Sequence, residues 1–198
     1  KFDIKTQSIG DVIYQHPLYD LTGATLNKMN HGVHSVNYLD HGMPITEYFT
    51  NENVNLDKRL RKTFGQQQFS IFDQDLTGNI LLVGVFSSDN PGNFYYFDKQ
   101  KNKAKHLIAK IPHLQHYKLS KSEVFKVTSK DFVDIEAILT RPNTIDNKVL
   151  LVYPHGGPVG IRNNANFNAD VQFLTNRGYT VLQVNFRGST GFGKAFME

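Results

Sequence analysis

The sequence predicts a mixed β and α/β fold, in which an antiparallel β-rich region precedes the start of a parallel α/β domain. Residues 79–108 contain three short strands of aromatic and β-branched residues separated by turns, an arrangement typical of a β-propeller blade. Residues 147–186 contain two apolar strands on either side of an amphipathic helix, which is a βαβ unit of a parallel sheet. We therefore divide the chain into a β-rich domain over residues 1–114 and an α/β domain over residues 115–198.

The three strands of the blade-like segment are bounded by turn-forming residues. The first strand, residues 80–86, is apolar and leads to Pro91 and Gly92, which suit the two central positions of a type II turn. The second strand covers residues 94–98, and the third follows a turn rich in Lys and Asn and lies near residues 106–109. Three consecutive strands joined by short turns predict an antiparallel meander.

Further strands and one helix are predicted upstream of the blade. Apolar and aromatic residues indicate strands over residues 10–17, 34–40 and 45–50. Residues 51–65 have apolar residues at helical spacing, and Gly65 is the expected end of that helix. The residues with this spacing are Val54, Leu56, Leu60 and Phe64.

The second half of the chain carries the pattern of an α/β sheet. Residues 122–142 alternate like a hairpin, and residues 147–154 and 179–186 are apolar strands of the kind that is buried on both faces. Between these strands, residues 166–177 predict an amphipathic helix with Asn166 as its N-cap. Two parallel strands are too few for a stable doubly wound sheet. We therefore expect the α/β domain to be incomplete, with its other strands absent from this sequence or supplied by another chain.

The composition argues against several classes of function. The sequence has no cysteine, which excludes disulfides, thiolate zinc sites and a cysteine nucleophile, and which fits a cytoplasmic location. It has no apolar run near the roughly 18 residues that a membrane span requires, so we expect no membrane association. The net charge of +4 comes from short, scattered groups of Lys and Arg. Since a dense basic stripe is missing, we expect no nucleic-acid partner.

Neither a metal site nor a cofactor site is predicted. The two candidate ligand pairs are His31 with His34 and His113 with His116. Their spacing is that of ligands on a helix, but neither pair lies in a convincing helix or has a carboxylate at a matching offset, so we interpret them as surface histidines. The segment GSTGFG at residues 188–193 follows a strand but does not satisfy G-x-G-x-x-G in register, so it predicts no dinucleotide loop.

Two motifs at a specific spacing lie in the α/β half. LLVYPHGGP covers residues 150–158, and FNADVQFLTNRGYTVLQVNFRGSTGFGKAF covers residues 167–196. Together they resemble the prolyl oligopeptidase family of serine peptidases, and within it the dipeptidyl-aminopeptidase and acylaminoacyl-peptidase branch. The segment SSDNPGNFYYFD at residues 87–98 is similar to the last propeller blades of that family. The resemblance implies that residues 1–114 are C-terminal blades of a β-propeller and that residues 115–198 begin an α/β-hydrolase peptidase domain.

The resemblance implies a serine peptidase that hydrolyses short peptides through an acyl-enzyme and needs no cofactor. It implies that the backbone N–H of Gly157 is one donor of the oxyanion hole. Fixed donors must stabilise the oxyanion, and a backbone N–H serves only where the substrate can approach closely, which calls for glycine. Gly156 and Gly157 meet this requirement. We expect His155 to shape the loop or to lie near the substrate, and not to be the catalytic base.

No serine of this sequence occupies a nucleophile elbow. Ser189 does not fit G-x-S-x-G, because the residue two positions before it is Arg187. We expect Ser189 to belong to a structured loop braced by Asn185 and Arg187, and we expect no member of the catalytic triad in this chain. The chain alone is then expected to be inactive and to require the remainder of the peptidase domain. Two alternatives stay open, namely a non-catalytic β-propeller interaction module and an α/β-hydrolase esterase.

Overall fold

The computed structural model describes residues 2–26, 32–65, 67–157 and 159–198. It contains three sheets of three or four strands and one two-stranded ribbon. In chain order, the β-rich half contains β1 (Phe2–Asp3), β2 (Ser8–Ile9), β3 (Leu21–Leu26), β4 (Val33–Asp40), β5 (Met43–Tyr48), helix α1 (Asn51–Phe64), β6 (Gln68–Gln74), β7 (Ile80–Ser87), β8 (Asn90–Asp98) and β9 (Lys103–Ala109). The rest contains a 3-10 helix (Pro112–His116), β10 (Ser122–Thr128), β11 (Asp134–Thr140), β12 (Val149–Val152), α2 (Ala169–Asn176), β13 (Tyr179–Asn185) and α3 (Lys194–Met197). Within those described ranges, no helix is both long enough and apolar enough to cross a membrane.

The first of the larger sheets is an antiparallel meander with the order β3-β4-β5. Its strands β4 and β5 confirm the strands predicted over residues 34–40 and 45–50. The turn between them consists of His41 and Gly42, both at positive φ, which is the backbone of a type I′ hairpin.

The strand predicted over residues 10–17 is wrong. The nitrogen Nδ1 of His16 accepts hydrogen bonds from the backbone N–H groups of Leu18 at 3.2 Å and Tyr19 at 3.1 Å. These donors lie just after the predicted strand, where the chain bends at Pro17 and Leu18, and residues 10–16 have no regular secondary structure. The segment forms a turn that carries the Tyr19 side chain into a buried position.

Helix α1 confirms the helix predicted over residues 51–65. The Thr50 hydroxyl accepts a hydrogen bond from the backbone N–H of Asn53 at the start, and Gly65 ends the helix at φ +67°. Leu56 and Leu60 are buried on its inner face, against the following sheet.

In that following sheet, with the order β6-β7-β8-β9, strands β7, β8 and β9 confirm the three-stranded antiparallel meander predicted for a propeller blade, and β6 is a fourth strand. One face of β7 and β8 packs on α1 and forms an apolar core of the β-rich half. The buried residues of this core are Leu56, Leu60, Leu81, Val83, Val85 and Phe97.

The type II turn predicted at Pro91 and Gly92 is wrong. β7 and β8 are joined instead by Ser88 and Asp89, and both Pro91 and Gly92 lie within β8. The amide oxygen of Asn90 accepts a hydrogen bond from the Gly92 N–H at 3.0 Å. This local side-chain contact and the φ of +140° at Gly92 produce an irregular strand start rather than a turn.

The last sheet has the order β10-β11-β13-β12, with β12 and β13 parallel and the other pairs antiparallel. The hairpin predicted over residues 122–142 and the parallel pair are confirmed. The burial predicted for β12 on both of its faces is wrong, because β12 is at the end of the sheet order and Leu150 and Val152 are 53% and 62% exposed. Helix α2 connects the parallel strands, as predicted, but its N-cap is Asn168 instead of Asn166. The Asn168 Oδ1 atom accepts hydrogen bonds from the N–H groups of Asp170 and Val171 at 3.0 and 3.1 Å.

Buried hydrogen bonds join the β-rich half to the α/β half. The side-chain oxygen of Gln172 on α2 accepts from the Ser120 N–H, and its nitrogen donates to the carbonyls of Ser88 and Ser120, each at 2.8 Å. The predicted boundary between residues 114 and 115 falls inside the 3-10 helix that links the two halves. The division into domains stays a prediction.

Leu60 tests the packing of α1 on the blade. Its side chain is fully buried, so Leu60→Ala is expected to lower the free energy of unfolding by about 2–5 kcal/mol. Leu76→Ala removes the same atoms from a fully exposed turn and is the matched control. Denaturant unfolding of both variants measures the difference. Equal stabilities of the two variants would contradict the packing of α1 against β7 and β8.

Candidate active site

Two loops that follow the parallel strands β12 and β13 form the candidate site. The glycine loop, residues 153–164, contains the HGGP motif, and the serine loop, residues 186–193, contains Ser189. Because Leu151 pairs with Val181 in a parallel register, both loops leave the same edge of the sheet. This carboxyl edge is where α/β sheets build their sites.

The glycine loop exposes a bare stretch of backbone at Gly156 and Gly157. Gly157 has a φ of +153°, which favours glycine, and a Cβ atom there would lie 3.1 Å from the backbone nitrogen of Val159. Among the residues that the structure describes, none accepts a hydrogen bond from the Gly157 N–H. This donor is therefore available to a bound molecule. Pro158, the last residue of the motif, lies outside the described residues.

The His155 side chain is held within the two loops at both ring nitrogens. Its Nδ1 atom lies 2.7 Å from the Gly156 carbonyl oxygen, and its Nε2 atom lies 2.7 Å from the Ser189 hydroxyl. The imidazole also stacks on the Phe186 ring, with centroids 4.5 Å apart and planes inclined by 19°. The ring thereby links the HGGP motif to the serine loop.

Ser189 is fully buried in the serine loop, and its N–H donates to the Phe186 carbonyl at 3.0 Å. A serine hydroxyl hydrogen-bonded to an imidazole is also the geometry of a nucleophile with its base. Here burial excludes that role in this structure, because a substrate carbonyl cannot reach a side chain with no exposed surface. The Ser189 hydroxyl serves as a fixed contact for His155.

A buried ion pair lies beneath the two loops. The Arg162 Nη2 atom donates to both carboxylate oxygens of Glu136 on β11 at 2.9 Å, and the two side chains are only 4% and 2% exposed. The Arg162 guanidinium also lies 4.0 Å from the ring centroid of Phe192 in the serine loop. Arg162 thus fixes the end of the glycine loop against both the sheet and the serine loop.

Asn185, the last residue of β13, completes this network. Its side-chain nitrogen donates to Glu136 Oε1 at 2.9 Å, and its oxygen accepts from the Asn163 N–H at 2.8 Å. Asn185 therefore braces the glycine loop and not the loop of Ser189, for which the sequence had predicted this role. Arg187 forms an exposed ion pair with Asp131, in the turn between β10 and β11, so it braces that turn.

Tyr153 ties the beginning of the glycine loop to α2. Its backbone N–H donates to the Leu182 carbonyl at 2.8 Å, and its hydroxyl donates to Asp170 Oδ2 at 3.0 Å. This hydrogen bond to a carboxylate raises the pKa of the Tyr153 phenol. The first residue after β12 is therefore anchored at both its backbone and its side chain.

The sequence did not predict which side chains of this site contact one another. Arg162 and Glu136 are 26 residues apart, and His155 and Ser189 are 34 apart. The one available signal was Glu136, a charge inside the apolar segment of β11. Of the histidine pairs, His31 lies outside the described residues, and His113 and His116 are exposed on the 3-10 helix. In the described ranges, no three His, Asp or Glu side chains converge as they would at a metal site.

Comparisons with known proteins agree on one family. A family model described as the prolyl oligopeptidase family matches residues 165–198. The chain is 35% identical over 137 residues to dipeptidyl peptidase family member 6 of Caenorhabditis elegans, covering 57% of this chain and 18% of that protein. It is 30% identical over 154 residues to dipeptidyl aminopeptidase BIII of Pseudoxanthomonas mexicana, covering 72% of this chain and 22% of that protein. The chain thus spans about a fifth of the length of these relatives.

A solved structure supports the fold over nearly the whole chain. Dipeptidyl peptidase 4 of Porphyromonas gingivalis superposes with a TM-score of 0.63 at 15% identity, covering 99% of this chain and 28% of that chain. The predicted fold class is confirmed, with propeller blades followed by the start of an α/β-hydrolase domain.

The buried ion pair tests how the two loops are held. Arg162→Met leaves the Glu136 carboxylate buried without its partner, and we expect a loss of about 3–5 kcal/mol in the free energy of unfolding. Arg187→Met removes the exposed ion pair with Asp131 and is expected to cost about 1 kcal/mol or less. Denaturant unfolding compares the two variants. A double variant, Arg162→Met with Glu136→Leu, should regain part of the loss, and the absence of any gain would contradict the assigned pairing.

Proposed function

Since the chain belongs to the prolyl oligopeptidase family, we propose that it is part of a serine peptidase that hydrolyses short peptides through an acyl-enzyme. In this proposal the chain contributes the last propeller blades and the first strands of the α/β-hydrolase domain. The names of the two curated relatives, a dipeptidyl peptidase and a dipeptidyl aminopeptidase, favour peptide substrates. The cytoplasmic location expected from the sequence is likewise a proposal.

The observation that carries this proposal is the exposed N–H of Gly157. It belongs to the loop after an early strand of the α/β sheet, where α/β-hydrolases place a donor for the oxyanion. Within the described part of the chain this N–H has no acceptor, so it can bind the oxygen of a tetrahedral intermediate without losing an existing hydrogen bond. Gly156, where a Cβ atom would meet nothing within 4 Å, leaves the approach open.

The nucleophile, the general base and the acid would come from the remainder of the peptidase domain. No serine in the described ranges combines an exposed hydroxyl with a partner histidine and carboxylate, and Ser189 is buried. The open edge of the sheet supports this part of the proposal. Among the described residues, strand β12 pairs only with β13, and Leu150 and Val152 on β12 and Phe173 on α2 expose more than half of their surface. An uncovered apolar edge of this kind calls for a further strand.

The β-rich half would cap the active site and limit access to short peptides. Support comes from Asp20, which lies in the loop between β2 and β3 and contacts the serine loop directly. Its N–H donates to the Gly191 carbonyl at 3.1 Å, and its carboxylate accepts from the Gly193 N–H at 3.0 Å. The β-rich half is thus in direct contact with a loop that borders the proposed oxyanion donor.

A fluorophosphonate probe on the full-length protein tests the reaction class. We expect one serine outside this chain to be labelled, and we expect Ser189 to stay unlabelled because its side chain is buried. No labelling of a folded full-length protein would reject a serine hydrolase and favour the non-catalytic module. Rates on aminoacyl and dipeptidyl nitroanilides, compared with rates on nitrophenyl esters, then separate a peptidase from an esterase.

The donor itself is tested by Gly157→Val in the full-length enzyme. The added side chain conflicts with the φ of Gly157 and with Val159, so the N–H is displaced. We expect kcat to fall on the order of 10²-fold or more, as for the loss of an oxyanion donor. Gly160→Ala is the control, because Gly160 is also at positive φ in the same loop and a Cβ atom there meets open space. Turnover of the Gly157 variant equal to that of the control would remove Gly157 from the mechanism.

A further inference from the structure

A chain of two hydrogen bonds runs from the serine loop to the backbone of the HGGP motif. It joins the Ser189 hydroxyl, the His155 imidazole and the Gly156 carbonyl oxygen, with both distances 2.7 Å. The carbonyl oxygen can only accept, so the proton of a neutral imidazole must reside on Nδ1. The bare Nε2 atom then accepts from the Ser189 hydroxyl, which fixes the direction of both hydrogen bonds.

The Gly156 carbonyl and the Gly157 N–H belong to the same peptide unit. A trans peptide is planar, and its C=O and N–H point in opposite directions. When His155 holds the carbonyl oxygen on its own side, the N–H is directed to the other side. The imidazole therefore sets the direction of the proposed oxyanion donor without touching it.

This control matters because the peptide lies between two glycines. Glycine has little steric preference between positive and negative φ, so an unrestrained Gly156–Gly157 peptide could rotate and turn its N–H away. The orientation must come from a contact outside the peptide, and His155 supplies that contact. A donor that must be reoriented during the reaction would lose much of its electrostatic benefit.

The imidazole is itself held by the serine loop. It stacks on Phe186, and Ser189 is fixed by burial and by its backbone hydrogen bond to the Phe186 carbonyl. Two further backbone hydrogen bonds cross between the loops, from the Gly160 N–H to the Gly188 carbonyl at 3.3 Å and from the Thr190 N–H to the Ile161 carbonyl at 3.2 Å. The His155 imidazole is therefore held by a serine loop that is itself fixed to the glycine loop.

We propose that Ser189 and His155 are positioning residues that hold the Gly157 N–H in the direction of the oxyanion. This inference rests on the proposed function. Ser189 acts through His155, and His155 acts through the Gly156 carbonyl. The hydrogen-bonded serine and histidine thus serve the reaction from behind the peptide and take no part in nucleophilic attack.

Paired variants of His155 in the full-length enzyme separate this role from mere packing. Asparagine places its side-chain N–H near the position of Nδ1, and glutamine places its own nearer to Nε2. We expect His155→Asn to keep kcat within roughly 5-fold of the wild type, and His155→Gln to lower it on the order of 10²-fold, with KM within about 2-fold in both. Ser189→Ala removes the contact that holds the His155 ring but keeps the Nδ1–H that donates to the Gly156 carbonyl, and it is expected to lower kcat by about 10-fold.

Thr175→Ala is the matched control for Ser189→Ala. The Thr175 hydroxyl is also fully buried, but it donates to the Val171 carbonyl within α2 and does not contact either loop. We expect this variant to lower the melting temperature and to leave kcat unchanged. A crystal structure of the Ser189→Ala enzyme adds a readout that does not need turnover, in which we expect the Gly156–Gly157 peptide to be rotated or disordered.

The outcomes distinguish the inference from the proposed function. If the wild-type enzyme hydrolyses peptides and His155→Gln matches His155→Asn in kcat, the serine peptidase stands and the positioning role is rejected. The same follows if the Ser189→Ala crystal structure keeps the peptide in its original orientation at wild-type kcat. If the folded wild-type protein neither reacts with a fluorophosphonate nor cleaves any substrate, the proposed function fails, and the positioning role fails with it.

Discussion

The buried ion pair between Arg162 and Glu136 is the contact on which the candidate site depends. Removing two charges from water is costly, and the cost is offset only where the geometry is good and the remaining donors and acceptors are satisfied. Here Arg162 reaches both carboxylate oxygens, Asn185 adds a further hydrogen bond to Glu136, and the Phe192 ring covers the guanidinium. One cation therefore joins the central strand β11, the glycine loop and the serine loop.

The same arginine explains one glycine of the serine loop, Gly191. A Cβ atom at Gly191 would lie 2.6 Å from the Arg162 Nη1 atom, and Gly191 has a φ of +94°. Glycine is required there because the backbone turns against a buried guanidinium. The segment GSTGFG resembles a phosphate-binding loop only in composition, since Gly191 packs against the Arg162 guanidinium. This packing agrees with the sequence, in which the spacing of the glycines does not match a dinucleotide-binding loop.

The periodic spacing of apolar residues predicted the helices and strands that bury one face against a neighbouring element. Helix α1 and the strands of the blade follow from apolar spacing, because each buries one face against its neighbour. The errors arose where a single side chain competes with that pattern. The Asn90 side chain accepts from the Gly92 N–H next to the turn at Ser88 and Asp89, and His16 accepts from Leu18 and Tyr19 at a bend that follows the segment predicted as a strand. Such side-chain contacts depend on the local geometry of the fold, which periodicity does not contain.

The HGGP motif predicted the proposed donor at Gly157, but it did not predict the contacts of His155 with the serine loop, because those contacts depend on the register of β12 and β13. Val152 pairs with Leu182, and the next hydrogen bond runs from the Tyr153 N–H to the Leu182 carbonyl. This parallel pairing brings His155 and Phe186, each a few residues beyond the pair, to the same edge of the sheet. A shift of the register by one residue would reverse the faces of the strand and separate the imidazole from Ser189. Under the proposed positioning role, the pairing of β12 with β13 therefore sets the orientation of the Gly156–Gly157 peptide, and with it the direction of the Gly157 N–H.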